Sequence, residues 1–320
     1  MFTFYIIYDI IQNVWRRYNI GLLSKYNNYI LDYMNDYLEK AYCMNQTVRI
    51  FAANTTNIVK KAQDIFNMWP SSISAFGRVL TISAIMSCTY KNGEFLNIKV
   101  NGDGPIGRMT VEATDGKVRG FVQNPGVFLQ YKTGKINVCD AVGAGTIEVI
   151  KDLHLRQPFS SSSEIISGEI AEDFTYYFAK SEQIPSSVGL AVNLDKESKV
   201  VSAGGFLLQV MPGCKQETIE KLEKHLNEMK PISKMIEEGY TPEEIINEVT
   251  MGDYTLLEKR ELKYECNCSK EKFKKGLKSI GKDALTQILN EDKHAHITCN
   301  FCNKEYDFNE DELKEIIMEL

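Results

Sequence analysis

The chain has 320 residues, 43% of them hydrophobic and 25% charged, and a formal net charge of -6. This length accommodates at least one sizeable core and two or three domains, and the composition excludes global disorder. The acidic balance leaves no footprint for nucleic acid and argues against an anionic membrane surface as main partner. No apolar run reaches the roughly 18 residues that a membrane span needs.

The opening "MFTFYIIYDIIQNVWRRYNIGLL" is apolar but is interrupted by Asp9. No basic segment precedes the run and no small-residue cleavage site follows it, so it does not read as a signal peptide. Ile6, Ile7, Ile10, Ile11 and Val14 recur at the spacing of a peripheral amphipathic helix. Further on, "TVRIFAA" reads as a strand and "NTTNIVKKAQDIFNMW" as a helix, with Thr55 or Thr56 near its N-cap. "SAFGRVLTISAIMSCTY" is a second helix, rich in small residues and fit for burial. "EFLNIKV", "RMTVEAT", "KVRGFVQN" and "GTIEVIKDL" are strand-like and separated by turn residues. "GEIAEDFTYYFAKSEQ" forms a third helix with Phe174, Tyr177 and Phe178 on one stripe. "SSVGLAVNL" and "VVSAGGFLLQVM" form two paired strands. The mixture predicts an α+β fold whose core ends near Gly213.

"NGDGPIGR" holds a literal Gly102-x-Gly104-x-x-Gly107. A dinucleotide site requires a helix to open at these glycines, yet the β-branched "RMTVEAT" follows, so the segment reads as a turn between strands. "VGAGT" at 142–146 reads the same way. No P-loop, nucleophile elbow or His-Glu-x-x-His occurs, and the core offers no catalytic constellation. The chain is expected not to be an enzyme.

From 214 to 262 the pattern changes to short, charged, amphipathic helices. Thr241 and Pro242 supply an N-cap and a first helical residue. Helices this short are marginal alone, so Ile219, Leu222, Leu226 and Met229 need a surface to rest on. A module at 263–320 closes the chain. It carries Cys266-x-Cys268 and, thirty residues later, Cys299-x-x-Cys302. Two close-spaced thiol pairs suit the tetrahedral preference of zinc, and one Zn2+ per chain is expected, with His294 and His296 as weaker alternative ligands. A module of this size buries little core, so metal binding would supply much of its folding free energy. Two amphipathic helices are expected between the pairs, and the tail "DFNEDELKEIIMEL" reads as a capped acidic helix. Thiolates are also the targets of peroxide. Each pair is close enough in sequence for an internal disulfide, Cys266–Cys268 or Cys299–Cys302, although the first closes a short, strained loop. Such oxidation would leave zinc without ligands. Cys43, Cys88, Cys139 and Cys214 are scattered singly, as in a reducing compartment, and read as small buried hydrophobes.

The cysteine spacing resembles that of the 33-kDa heat-shock protein family of redox-regulated holdase chaperones. "RIFAANTT", "NGDGPIGRMTVEATDGKVRGFVQNP", "VIKDL", "SGEIAEDFTYYFAKSEQIPSSVGLAV", "AGGFLLQVMPG" and "CNFCNKEYDF" resemble family segments in the right order. The resemblance runs from Met34 to Leu320, and residues 1–33 have no counterpart in it, which suggests that Met34 is the true start. It implies an α+β core domain at 34–213, a metastable helical linker at 214–262 and a zinc-binding redox-switch domain at 263–320. By position it implies that Cys266, Cys268, Cys299 and Cys302 are zinc ligands when reduced and disulfide partners when oxidised. It further implies zinc release, unfolding of the linker and module, a homodimer in the oxidised state, and ATP-independent binding of unfolding client proteins. Nucleotide, nucleic acid and membrane are not expected partners, and the cytoplasm is the expected location. Two other readings compete: a thiol–disulfide oxidoreductase using Cys299-x-x-Cys302, and a zinc-ribbon RNA-binding module using the lysines of 270–282.

Overall fold

The computed structural model describes residues 35–90 and 93–320; the amphipathic segment expected at 1–33 lies outside the described residues. Strands β1 (Tyr37–Cys43) and β2 (Val48–Asn54) form an antiparallel hairpin. Helix α1 (Thr56–Phe66) follows, with Thr55 at the N-cap as the sequence suggests. The cap itself comes from elsewhere. The Thr55 hydroxyl is engaged with Thr81 at 2.7 Å, and the Asp36 carboxylate accepts the free N–H groups of Asn57 and Ile58 at 2.9 and 2.6 Å. A carboxylate there also meets the positive end of the helix dipole.

Helix α2 (Pro70–Ser87) runs through the middle of the molecule with every residue but Arg78 buried. Its small residues allow close approach. A Cβ on Gly77 would come within 2.8 Å of both Val59 and Val192. Of the hydroxyls that this composition buries, three return to the helix's own carbonyls, Thr81 to Gly77, Ser83 to Val79 and Ser87 to Ala84. Ser71 and Ser72 donate instead to the carbonyls of Leu129 and Asn124, so these buried hydroxyls are paired.

Strands β3 (Phe95–Gly102), β4 (Arg108–Thr114) and β5 (Lys117–Val122) form an antiparallel meander. The glycine-rich Gly102–Gly107 segment is the turn between β3 and β4, and no helix opens there. After the short helix α3 (Val138–Val142), β6 (Gly145–Asp152) joins the far edge of β3 and β7 (Phe159–Glu164) pairs with β6. Helix α4 (Ala171–Tyr177) continues into a π turn at Phe178–Glu182 and buries the stripe Phe174, Tyr177 and Phe178. Strands β8 (Ser186–Leu194) and β9 (Val200–Val210) pair with each other, and β9 pairs with β2.

Three helices, α5 (Gln216–Glu228), α6 (Ile232–Glu237) and α7 (Pro242–Val249), then cross the remaining face of the first sheet. Leu222, Met235, Ile236, Ile245, Ile246 and Val249 bury against Ile50, Ala52, Phe206 and Leu208. This is the surface that such short helices require. Thr241 caps α7 through a reciprocal pair with Glu244.

The helical character expected across 214–262 stops at residue 249. Residues Tyr254–Glu261 form strand β10, which pairs antiparallel with β1 at the edge of the first sheet. Its "YTLLEKRE" is mostly exposed and alternates weakly, so no hydrophobic period marks it as a strand. Strand β11 (Lys263–Tyr264) then runs parallel to β5 and extends the second sheet. The sheet orders are β10-β1-β2-β9-β8 and β11-β5-β4-β3-β6-β7. The C-terminal elements are α8 (Lys270–Ser279), α9 (Lys282–Glu291), the hairpin β12 (Ala295–Thr298) and β13 (Glu305–Phe308), and α10 (Glu310–Met318). This is a mixed α+β architecture. Among the described residues no helix is long and apolar enough to cross a membrane.

Candidate metal centre

Cys266 and Cys268 lie on the extended chain leaving β11, and Cys299 and Cys302 lie in the turn between β12 and β13. That turn is tight. The Lys304 carbonyl accepts Cys299 N–H at 2.9 Å, and the Cys299 carbonyl accepts Asn303 N–H at 2.8 Å. Asn303 takes the left-handed conformation at φ 55°, which asparagine tolerates better than most residues. The turn therefore points both thiols to one side, toward the first pair.

The four sulfurs lie within 4.8 Å of one another. Cys266 Sγ is 3.7 Å from Cys299 Sγ, and Cys268 Sγ is 3.4 Å from Cys302 Sγ. A zinc–sulfur bond of ~2.3 Å sets the edge of a tetrahedron at ~3.8 Å. The donor set and its spacing therefore fit zinc. Cys299 is buried and the other three are half-buried, which leaves an entry path and shields the site from bulk water. His294 and His296 stand outside the cluster. His294 Nδ1 is bonded to the Asp292 carbonyl and His296 Nδ1 to Asp307, both at 2.7 Å.

The thiols influence one another strongly. Burial disfavours the thiolate of Cys268, but hydrogen bonds from the Tyr306 hydroxyl, 3.1 Å away, and from the neighbouring thiols outweigh it and bring Cys268 down to about 7. Burial pushes Cys302 up to about 12, and the three neighbouring thiols add to it; burial also raises Cys299, where Cys302 opposes the rise and Cys266 and Cys268 add to it. Negative charge gathered on four adjacent sulfurs is self-opposing, so one easy ionisation makes the next ones hard. A divalent cation reverses this by supplying compensating charge.

Around the site the module's own cluster buries Leu277, Leu285, Cys299, Tyr306, Phe308, Leu313 and Ile316, while Tyr264 is buried against the main core. Ser269 and Asn309 cap α8 and α10. Three of the five lysines of α8 face the acidic tail. Lys270 pairs with Glu312, while Lys274 and Lys278 reach Glu319 at 2.9 and 2.5 Å.

Sequence reasoning did not single out the residues that join this module to the core. Arg119 on β5 places its guanidinium 4.5 Å from the Phe301 ring and donates to Asn267 Oδ1 at 2.6 Å. The Tyr264 hydroxyl lies 2.5 Å from the Phe301 carbonyl and 2.9 Å from the Gly120 carbonyl. Asn303 donates to the Ile65 carbonyl at 2.7 Å. Only the position of Asn267 and Phe301, inside the two cysteine loops, hinted at them. Of the remaining thiols, Cys43 and Cys88 are buried and Cys139 and Cys214 half-buried, and all four are free.

A family model described as Hsp33 protein matches residues 36–309. A 33 kDa chaperonin of Acholeplasma laidlawii is 44% identical over 288 residues, 89% of this chain and 99% of the relative. One of Staphylococcus aureus is 43% identical over 290 residues, with the same shares. The crystal structure of the 33 kDa chaperonin (heat shock protein 33 homolog) of Thermotoga maritima superposes with a TM-score of 0.82 at 32% identity, covering 89% of this chain and 98% of that one. The chain belongs to the Hsp33 family and is a chaperone of that family.

Proposed function

We propose that this chaperone is an ATP-independent holdase switched by the oxidation of Cys266, Cys268, Cys299 and Cys302. The observation that carries the reading is the gathering of these four thiols into one cluster that doubles as the anchor of a weakly cored module. In the reduced chain the four cysteines hold one Zn2+. When bound, the ion supplies the charge that keeps four thiolates together and the free energy that folds the module. Each pair of thiolates then gives up two electrons to form one S–S bond, Cys266–Cys268 and Cys299–Cys302, and zinc is released. Each molecule of hydrogen peroxide takes up those two electrons together with two protons from solvent and yields two waters.

With its ligands consumed, the 263–320 switch domain loses its main support. Through the strand β10 that connects them, the linker of 214–262 loosens from the core domain of 34–213, and its apolar face on the first sheet becomes available. Unfolding client proteins bind that surface, and the oxidised chain pairs as a homodimer. The singly placed Cys43, Cys88, Cys139 and Cys214 suit a reducing compartment, and we place the chaperone in the cytoplasm.

The competing readings have less support. Three of the lysines proposed for RNA contact, Lys270, Lys274 and Lys278, are engaged with the acidic tail. Cys299-x-x-Cys302 occupies a hairpin turn rather than the helix N-terminus that activates oxidoreductase thiols.

The test follows zinc with a colorimetric chelator during peroxide treatment at raised temperature, while light scattering reports aggregation of a heat-sensitive client in the same samples. About one zinc per chain is expected to leave as protection appears. Zinc that stays, or that leaves with no gain in protection, would sink the switch.

A further inference from the structure

Several contacts cross the seam between the cysteine module and the core, and one core side chain reaches both cysteine loops. Arg119 projects from β5 and is fixed by Glu112 on the neighbouring strand, whose Oε2 accepts from Nε at 2.8 Å and from Nη2 at 2.6 Å. Nη1 is left to face the module. It donates to Asn267 Oδ1 at 2.6 Å and lies 3.9 Å from Cys266 Sγ. The guanidinium plane covers the Phe301 ring, whose other neighbour is Phe121, edge-on at 5.7 Å.

The positions of these two partners give the contact its meaning. Asn267 is the residue inside Cys266-x-Cys268, and Phe301 lies inside Cys299-x-x-Cys302. A single core residue thus grips the interior of both cysteine loops. It can hold both only while the loops lie side by side, which is the arrangement that gathers the four sulfurs. Separation of either loop breaks one grip and leaves a partly buried guanidinium underpaired. Arginine is suited to this because its planar fork can bond in two directions and stack at once, which an ammonium cannot do.

We propose that Arg119, braced by Glu112, is the positioning residue that keeps the module docked on the core only while the cysteine site is assembled. The coupling runs from the loops to the arginine and then to β5, beside which β11 lies. Its backbone register, Lys263 N–H to the Gly116 carbonyl at 3.0 Å and Glu265 N–H to the Val118 carbonyl at 2.9 Å, reports whether docking holds. This inference rests on the metal-holding reading of the four cysteines.

The experiment uses the full-length chain, reduced and loaded with zinc, with no oxidant and no client. Hydrogen exchange is followed at residues 263–265 and in α2, and zinc content is measured in parallel, for the parent chain, Arg119→Ala, Arg119→Lys and Glu112→Ala. In Arg119→Ala, zinc is expected to stay at the parent level while exchange at 263–265 rises by about tenfold or more, the scale of a lost charge-assisted bond. Exchange in α2 should not change. Arg119→Lys should fall between the two, because it keeps the charge and loses the fork, and Glu112→Ala should shift in the same direction by less. Exchange at 263–265 within about twofold of the parent would overturn the proposal. So would zinc loss in Arg119→Ala, which would make the arginine a support of the metal site rather than a coupler. If the parent chain itself binds no zinc, the metal-holding reading fails and the coupling falls with it; if it binds zinc and the variants do not respond, only the coupling fails.

Discussion

Helix α2 and the C-terminal module show two ways of holding a fold together. Of the 18 residues in α2, only Arg78 is not buried, and the helix packs against both sheets through small side chains. Its stability is spread over many contacts, and no single chemical event reaches it. The module's own cluster buries six residues around four thiols, of which Cys299 is buried with them. Its stability is concentrated at one point, and that point is reactive. Between them lie α5, α6 and α7, which borrow their core from the face of the first sheet. The order of vulnerability along the chain follows from how each region is paid for in buried surface.

Removal of the metal should separate the two regions most widely. On the proposed zinc-holding reading, chelation under reducing conditions, or Cys299→Ser, withdraws folding free energy on the order of 10 kcal/mol from 263–320. Amides of α8, α9 and α10 are then expected to exchange at near-unfolded rates while α2 stays protected, as read by hydrogen exchange and mass spectrometry. If the module kept its protection, its six other buried side chains would suffice without a cation and the contrast with α2 would collapse.

The next effect tests the borrowed core. Ile246 is fully buried between α7 and the first sheet. Ile246→Ala should cost roughly 2–5 kcal/mol, and the loss should fall on 216–249 because the sheet keeps its other face packed. Denaturant unfolding of the parent and variant chains, resolved by segment through exchange, measures it. Equal destabilisation of α2 would mean that the linker helices and the core unfold as one unit.

A pH effect of similar size belongs to the core. Burial raises the Asp36 carboxyl to about 6, although the N–H groups of Asn57 and Ile58 and the charge of Lys60 act in the other direction. A folded-state value above the unfolded one means that the folded chain binds the proton more tightly. The associated stability is therefore full below the ordinary value near 3.8 and is lost as pH rises through about 6. The contribution is on the order of 3 kcal/mol. Asp36→Asn should flatten this part of the profile in urea titrations between those limits. A parent chain with no loss of stability across that window would show that the two N–H bonds fully offset the burial.

Much of this division could be read from residues alone, and what escaped has a physical pattern. The thiol cluster was legible because metal chemistry demands particular atoms at short spacings, and helix α2 because its small apolar run is long. Strand β10 was not, since an exposed edge strand carries little hydrophobic alternation and its place is set by its partner β1. The cap of α1 is narrowed by sequence to Thr55 or Thr56, and Thr55 is the N-cap, yet the acceptor is Asp36, on the far side of a hairpin. Arg119 and Tyr264 lie far in sequence from most of what they touch across the seam, so no local pattern marks them. Local chemistry is visible in a sequence, whereas contacts between distant segments are not.

The smallest effect separates propensity from packing in the linker. Thr241 Oγ1 accepts Glu244 N–H at 3.2 Å, and the Glu244 carboxylate accepts Thr241 N–H at 2.8 Å. Thr241→Ala removes half of this reciprocal cap at a cost of about 1 kcal/mol. If α7 owes its order partly to its own end, exchange in 242–249 should rise about fivefold while Ile246 stays buried and α2 is unaffected. If exchange does not move, α7 is held entirely by the sheet face beneath it. A switch that loosens the linker would then have to act on that face rather than on the helix. Comparison of Thr241→Ala with Ile246→Ala in the same exchange experiment decides between these, because the first weakens the helix and leaves the contact, and the second does the reverse.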